Sequence, residues 1–350
     1  MPKFIREMAR HAVDETTPLL VEAGQESRQL PEQESPDGIN FHPQGDPENP
    51  LEWSVYLKWG VVTILASTAL SVTFNCTSIV PVARSIVDEL RDGEGADTPF
   101  AAVLPITIWE LGEAVGPLLI GPLSEIFGRY PLVNAANILL LMGTAASALS
   151  PNMPVFLISR ALTGMAVASN VLSPAIIGDI FVPEQRGTAM SMVTFAPIVG
   201  GTIGPAVGGF VGGFLGWRSV IWVSMGLAGV CGLLSLTLFR ETYKVKILRS
   251  RAARLRKEAG NPPSDPDSEK RPDNLMISML RPFGVLMCSG VLVALSLFGA
   301  FHYSQVYVLS TTLPVILEDV YGLSQAEIGS AFLVNGEHIF SSSNHLRGVR

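Results

Sequence analysis

The sequence predicts an all-α membrane protein with several spans, and three observations carry that prediction. Of its 350 residues, 48% are hydrophobic, only 16% are charged and 33 are glycine, a balance that excludes an ordinary soluble domain. Apolar stretches of about 20 residues recur along the chain, the length that crosses a bilayer as a helix, and only a helix or a closed barrel satisfies its backbone there. Finally, residues 187–217 hold no charge and place Gly200, Gly204, Gly208 and Gly212 at every fourth position, with Gly201, Gly209 and Gly213 beside them. Glycines so spaced line one ridge of a helix, against which a second backbone can pack closely. Pro205 removes a backbone donor inside this stretch and predicts a kink there. On composition alone the ridge is as well explained by a tight helix pair as by a functional element.

The first 54 residues carry eleven acids against four bases and few large apolar side chains. Such a segment buries too little surface to offset its ordering entropy, so residues 1–58 are read as a disordered cytosolic tail. No apolar leader opens it. Within it, Glu15 to Leu20 (ETTPLL) has the form of an acidic dileucine sorting signal, in which Leu19 and Leu20 would direct the chain to a vacuole, and so short a pattern also arises by chance. Spans are expected at Trp59–Val80, Phe100–Ile120, Leu132–Leu149, Val155–Gly178, within residues 187–217, and at Val220–Phe239, with an acidic outer segment at 84–97 between the first two. These six form one unit, residues 59–239. Residues 240–281 follow, with eleven bases against six acids and the polar run NPPSDPDSEKRP. By the positive-inside rule this linker is cytosolic, which agrees with six crossings from a cytosolic N-terminus. It also reads as a basic juxtamembrane helix drawn to anionic lipid. Residues 282–350 begin with span 7, inside the charge-free run 282–317, and then approach an eighth span. Only Ile328 to Gly336 separate Glu327 from Glu337, too few to cross. The expectation is a chain truncated within span 8.

Several motifs, in order, resemble the drug:proton antiporter branch of the major facilitator superfamily in its twelve-span fungal form. DPENPLEWS at 46–54 resembles the stretch that precedes span 1 in fungal members, and RETYKVKILRSRAARLRKEAGN at 240–261 the stretch after span 6. GPLSEIFGRYP at 121–131 resembles the loop between spans 2 and 3, matching at Gly121, Glu125, Gly128 and Arg129 and departing at Ile126 and Tyr130, where bases are usual. Arg160 with Gly164 resembles the R-x-x-x-G element of span 4. Asp179 and Arg186 match the D-x-x-x-x-x-x-R-G turn after it. Gly200, Gly204, Pro205, Gly208 and Gly209 resemble the antiporter signature G-x-x-x-G-P-x-x-G-G of span 5. The resemblance implies a major facilitator fold, here a six-helix first half with span 7 and an incomplete span 8. It also implies export of small organic compounds (drugs, toxins, polyamines or metabolites) in exchange for protons by alternating access.

Glu110 and Glu113 lie near the middle of span 2, three residues apart and on one helix face, and Arg160 lies inside span 4. Ionisable groups at such depth are costly and face a partner or a watery cavity. Two readings stay open: a proton-coupling or substrate cavity, and an acid–base pair that fixes span 2 to span 4; Arg160 could also snorkel outward. In the 121–131 loop the glycines would allow a tight turn, with Glu125 and Arg129 as an acid–base latch. The cysteines Cys76, Cys231 and Cys288 have no disulfide or metal spacing, and His302 reads as a packing residue. The sequon at Asn75 sits within span 1, where no glycan is expected. Trp59 and Trp217 suit membrane interfaces. With no phosphate-binding glycine loop, nucleophile triad or metal cluster, the sequence predicts no cofactor and no enzyme. The expected partners are a small-molecule substrate, protons and the bilayer, with no nucleic acid. The resemblance points to the plasma membrane, the dileucine to a vacuole. Two other functions remain, a non-transporting or partner-dependent membrane protein and a nutrient symporter, against which the span 5 signature argues.

Overall fold

The computed structural model describes residues 41, 45–90, 99–167, 169–258, 284 and 286–333. The acidic tail with its dileucine, most of the polar linker and the last residues from 334 lie outside them. Residues 45–247 with 308–333 form one compact unit, and the described residues between 248 and 307 belong to a second.

The described residues are helical, with no strand among them, and the helices are α1 (Val55–Thr77), α2 (Ala83–Leu90), α3 (Pro99–Phe127), α4 (Arg129–Ala148), α5 (Met153–Met165), α6 (Ser169–Ile180), α7 (Pro183–Leu215), α8 (Trp217–Leu238), α9 (Lys244–Glu258) and α10 (Gly290–Asp319). A last helix, α11, covers residues 325–333. Six stretches among them are long and apolar enough to cross a membrane: α1 with α2, α3 from Val103, α4, α7, α8 and α10. Span 4 is the exception. It is built from α5 and α6, and its first helix ends where Ala166 and Val167 donate to carbonyls only three residues back, Thr163 and Gly164. Those are the bonds of a tightened final turn, and Gly164 is a weak helix former at that point.

Local chemistry explains the boundaries. Ser54 and Asn152 accept from the backbone amides of Leu57 and Val155, satisfying free donors at the starts of α1 and α5. Gly128 (φ 93°) and Gly216 (φ 80°) adopt left-handed conformations that separate α3 from α4 and α7 from α8. Part of the acidic segment expected between spans 1 and 2 is the helix α2, whose Ile86, Val87 and Leu90 are buried. Helix α7 runs unbroken through Pro197 and Pro205.

Three buried clusters hold the main unit together. One joins Val61, Val62 and Leu65 of α1 to Ile176, Ile177 and Ile180 of α6 and Ala189 of α7. A second joins Ile79, Val82, Ile86 and Val87 to Phe156, Trp217, Ile221 and, from α11, Ile328. Between them lie Val72, Cys76, Trp109, Leu140 and Ala228. Outward faces are also apolar, with Phe210, Phe214 and Leu233 exposed. That pattern suits a bundle in lipid, where tight packing rather than water exclusion brings helices together.

Candidate functional site

A glycine seam positions the central cluster. A Cβ on Gly112 would lie 2.9 Å from the Met165 amide, one on Gly116 3.0 Å from Met165 Cα, and one on Gly164 3.0 Å from the Trp109 carbonyl carbon. Helices α3 and α5 therefore touch backbone to backbone, a contact any larger side chain would block. The seam sets the Trp109 ring of α3 against Arg160 of α5 and brings the Glu113 amide close to Gly164.

Arg160 does not snorkel: it is 2% exposed, with its guanidinium 4.4 Å from the centre of the Trp109 ring. Its Nη1 donates to Asn75 Oδ1 (2.9 Å) and to the Asn75 carbonyl (3.3 Å), and Nη2 donates to the Cys76 carbonyl (3.3 Å). Asn75 passes the network on, donating to Thr144 Oγ1 at 2.9 Å. The Cys76 thiol, on the other side, donates to Glu110 Oε1 at 3.6 Å. Spans 1, 2, 3 and 4 thus meet around one buried cation, with Glu110 joined through the thiol and both glutamates only half-buried. Arg160 Nε and the Trp109 indole N–H have no hydrogen-bond partner among the described residues, so this centre keeps unused donors in a buried place. The sequon residue Asn75 is 1% exposed and bonded to Arg160, which leaves no room for a glycan.

The loop between spans 2 and 3 is arranged differently from its sequence reading. Gly121 lies within α3 with open space around it, and the turn falls at Gly128 alone. Because the chain breaks there, Arg129 starts a new helix, and Glu125, four residues earlier, is exposed. Its ionic partner is Asp179 at the end of α6, with Nε 3.6 Å from Oδ2. The Arg129 guanidinium also stacks 5.1 Å from the centre of the Tyr243 ring and donates to Ser124 Oγ. Glu241, which sequence reasoning did not single out, completes the clasp. Its Oε1 accepts from the amides of Arg129 (2.9 Å), Thr242 (3.1 Å) and Tyr243 (3.1 Å). A Cβ on Gly128 would lie 2.9 Å from the Glu241 carboxyl carbon, so that glycine also makes room for the carboxylate. Lys246 donates to the Phe127 carbonyl and closes the end of α3. Burial pushes the Asp179 carboxyl up to about 6, with Arg129 pulling the other way. Arg186 makes no ion pair with Asp179. It donates to the Phe181 and Gly178 carbonyls at 3.0 and 2.9 Å, filling acceptors left over at the end of α6.

The glycine ridge of α7 packs on two partners. Gly200, Gly204 and Gly208 face α1 and the residue after it: added Cβ atoms would lie 2.5 Å from the Leu70 carbonyl oxygen, 3.3 Å from that of Phe74 and 2.8 Å from the Ser78 carbonyl carbon. Gly209 and Pro205 face α11. A Cβ on Gly209 would lie 3.0 Å from the Gln325 carbonyl carbon, and one on Gly329 would meet the Pro205 carbonyl. Gly213 faces open space.

Closely seamed apolar helices, a buried arginine linked through a thiol to a glutamate, and a charged clasp at one end suit a multi-span membrane transporter. The chain belongs to the Major Facilitator Superfamily, whose family model matches residues 53–336. It is 32% identical over 327 residues to Efflux pump radE of Floropilus chiversii, covering 92% of this chain and 60% of that protein. It is 34% identical over 307 residues to MFS transporter prlG of Fungal sp. (strain NRRL 50135), covering 86% and 64%. The chain thus spans about 60% of the length of these relatives. Among solved structures, the D-xylose-proton symporter superposes with a TM-score of 0.59 at 20% identity, over 79% of this chain and 65% of that one, a likeness of fold. The family and these relatives are transporters, not enzymes.

Proposed function

We propose that this chain supplies the proton-coupled half of an exporter of small organic compounds, working by alternating access. The observation that carries the reading is the Arg160 centre, a buried cation linked through Cys76 to a half-buried glutamate at mid-span. Charge held at such depth is costly and marks substrate or ion pathways. In this reading Glu110 and Glu113 take up protons from the outer side and release them to the cytosol. Arg160 sets the field they feel, and an organic substrate moves outward in exchange. The efflux role named for radE and the antiporter signature on α7 support an exporter over a nutrient symporter. The clasp of Gly128, Arg129, Asp179 and Glu241 braces the cytosolic ends of spans 2, 3, 4 and 6, so that the half moves as one body.

The test is reconstitution of the chain in vesicles loaded with a pH-sensitive dye, under an imposed pH gradient, with a panel of amphiphilic drugs and polyamines. Substrate-dependent proton movement is expected, reduced at least tenfold by Glu110→Gln or Glu113→Gln. Equal proton movement in both variants would remove these acids from the coupling role.

A second reading, a partner-dependent membrane protein, draws on the bare sides of α10, where Leu295, Phe298 and Phe301 are all exposed. Proton movement by the purified chain alone would exclude it. Co-purification of a second membrane protein, with no activity in its absence, would favour it.

A further inference from the structure

Two segments that take no part in the site above are opposite in charge. Residues 14–37 of the N-terminal tail hold seven acids and one base, Arg28, whereas α9 holds seven bases and one acid, Glu258. Six crossings separate them, α1 with α2, α3, α4, α5 with α6, α7 and α8, so both lie on one side of the membrane. Both are also rooted at the end of α6. On the tail side, a short helical turn at Pro50–Glu52 packs on α6, and Trp53 and Trp59 pack on the cluster that holds Ile177, Ile180 and Phe181. Lys58 lies 5.7 Å from the centre of the Phe181 ring and donates to the Leu51 carbonyl at 2.7 Å. On the α9 side, Thr242 donates to Asp179 Oδ2 at 3.4 Å, two residues before Phe181, and Lys246 donates to the Phe127 carbonyl. The stretch from Asp37 to Gly45 spans at most about 28 Å when extended, and the 15 residues of α9 are about 22 Å long. The acidic segment can therefore reach every turn of the basic helix.

The exposed face of α9 decides what it can receive. Leu248 and Ala252 are buried, while Arg249, Arg254 and Lys257 are exposed on the opposite side with Ala253 among them. Leu255 falls on the row of Leu248 and Ala252, so the basic face carries no large apolar side chain. A helix that lies in a membrane interface needs such an apolar face to enter the lipid, and a polar, acidic stretch of chain does not. We propose that residues 14–37 dock on this face of α9, their carboxylates pairing with Arg249, Arg254 and Lys257. Each exposed pair is weak and screened by salt. The tether compensates, because a short linker holds its partner at an effective concentration of about millimolar. One segment precedes span 1 and the other follows span 6, so their pairing ties together the two ends of the six-span unit. It does so reversibly, and independently of any transport.

The test uses the full chain, reconstituted in phosphatidylcholine vesicles, with Cys288→Ser to remove the exposed thiol and with Glu26→Cys paired to Ala253→Cys. The rate of disulfide formation with a membrane-permeant oxidant reads the pairing. Cross-linking should be rapid at low salt and much slower in about 1 M salt on both sides, where the screening length falls to about 3 Å. Arg249→Glu, Arg254→Glu and Lys257→Glu together should slow it at least about fivefold at low salt. Adding Glu22→Lys, Glu32→Lys and Glu34→Lys in the tail should restore most of the rate, as no folding defect would. Equal rates with and without the reversed α9 charges, or no recovery with the reversed tail, would overturn the docking. The rate should also hold in vesicles that contain phosphatidylserine. Its loss there would overturn the proposal in favour of an anionic lipid surface as the partner of α9.

Discussion

Replacing Gly208 with alanine probes the glycine ridge most directly. The added methyl would lie 2.8 Å from the Ser78 carbonyl carbon and nearer still to its oxygen, where ordinary contact begins at 3.4 Å. Neither side can yield by rotating a side chain, because both are backbone. The first helix and the fifth span must therefore move apart, and the contacts at Gly200 and Gly204 on the same row loosen with them. Forcing an extra carbon into a packed interface costs about 1–3 kcal/mol, and the backbone-to-backbone overlap puts this case at the upper end. The control is Gly213→Ala, less than two turns along the same helix and facing open space. There the better helix propensity of alanine should leave stability unchanged or raised by up to about 1 kcal/mol. Unfolding in mixed micelles with increasing denaturing detergent, followed by circular dichroism, measures both. Equal midpoints for Gly208→Ala and Gly213→Ala would refute the claim that the spacing of these glycines serves close approach.

Asp179 should report on pH. Its carboxyl is held at about 6, above the ordinary range, so the folded protein takes up a proton that the unfolded chain does not until about pH 4. Its contribution to stability therefore grows as pH falls from about 7 towards 4, and Asp179→Asn, which cannot take up that proton, should lose this gain. The stability difference between wild type and variant should shift towards wild type on acidification, and a difference that is flat between pH 7.5 and 5 would show that burial does not control this group. At the centre, Arg160→Met keeps the bulk but leaves Asn75 Oδ1 and two carbonyls without their donor. A loss of about 2 kcal/mol or more is expected in the same unfolding assay, and a variant more stable than wild type would show that the network is held at a cost to the fold.

What could be read from the sequence was what depends on local spacing. The apolar runs announced the spans, and the four-residue glycine repeat announced a close helix contact, because both are periodic properties of one segment. The break in span 4 has only a weak local signal in Gly164: the tightened turn at 163–167 lies where that glycine packs on the Trp109 backbone of α3. The partner of Arg129 is hidden from local spacing for a related reason. Glu125 and Arg129 are four residues apart, but the left-handed Gly128 between them turns Arg129 towards Asp179 and Glu241, far along the chain. Gly112 and Gly116 carry a legible four-residue spacing too, a shorter series than the one on span 5. The hydrogen bonds that join Arg84 to Asp319 and Ser85 to Gln325 had no signal at all, since their partners stand at sequence separations of 235 and 240.

The carboxylate of Glu241 beneath Gly128 has a consequence for how the protein is made. The turn between the second and third spans leaves the ribosome early, yet the acceptor for the Arg129 amide arrives 112 residues later. Until the chain has been threaded past its sixth crossing, that turn lacks its filling and the arginine lacks one of its neighbours. The clasp is therefore a late contact of synthesis: the turn between the second and third spans gains its last acceptor only once residue 241 has been delivered.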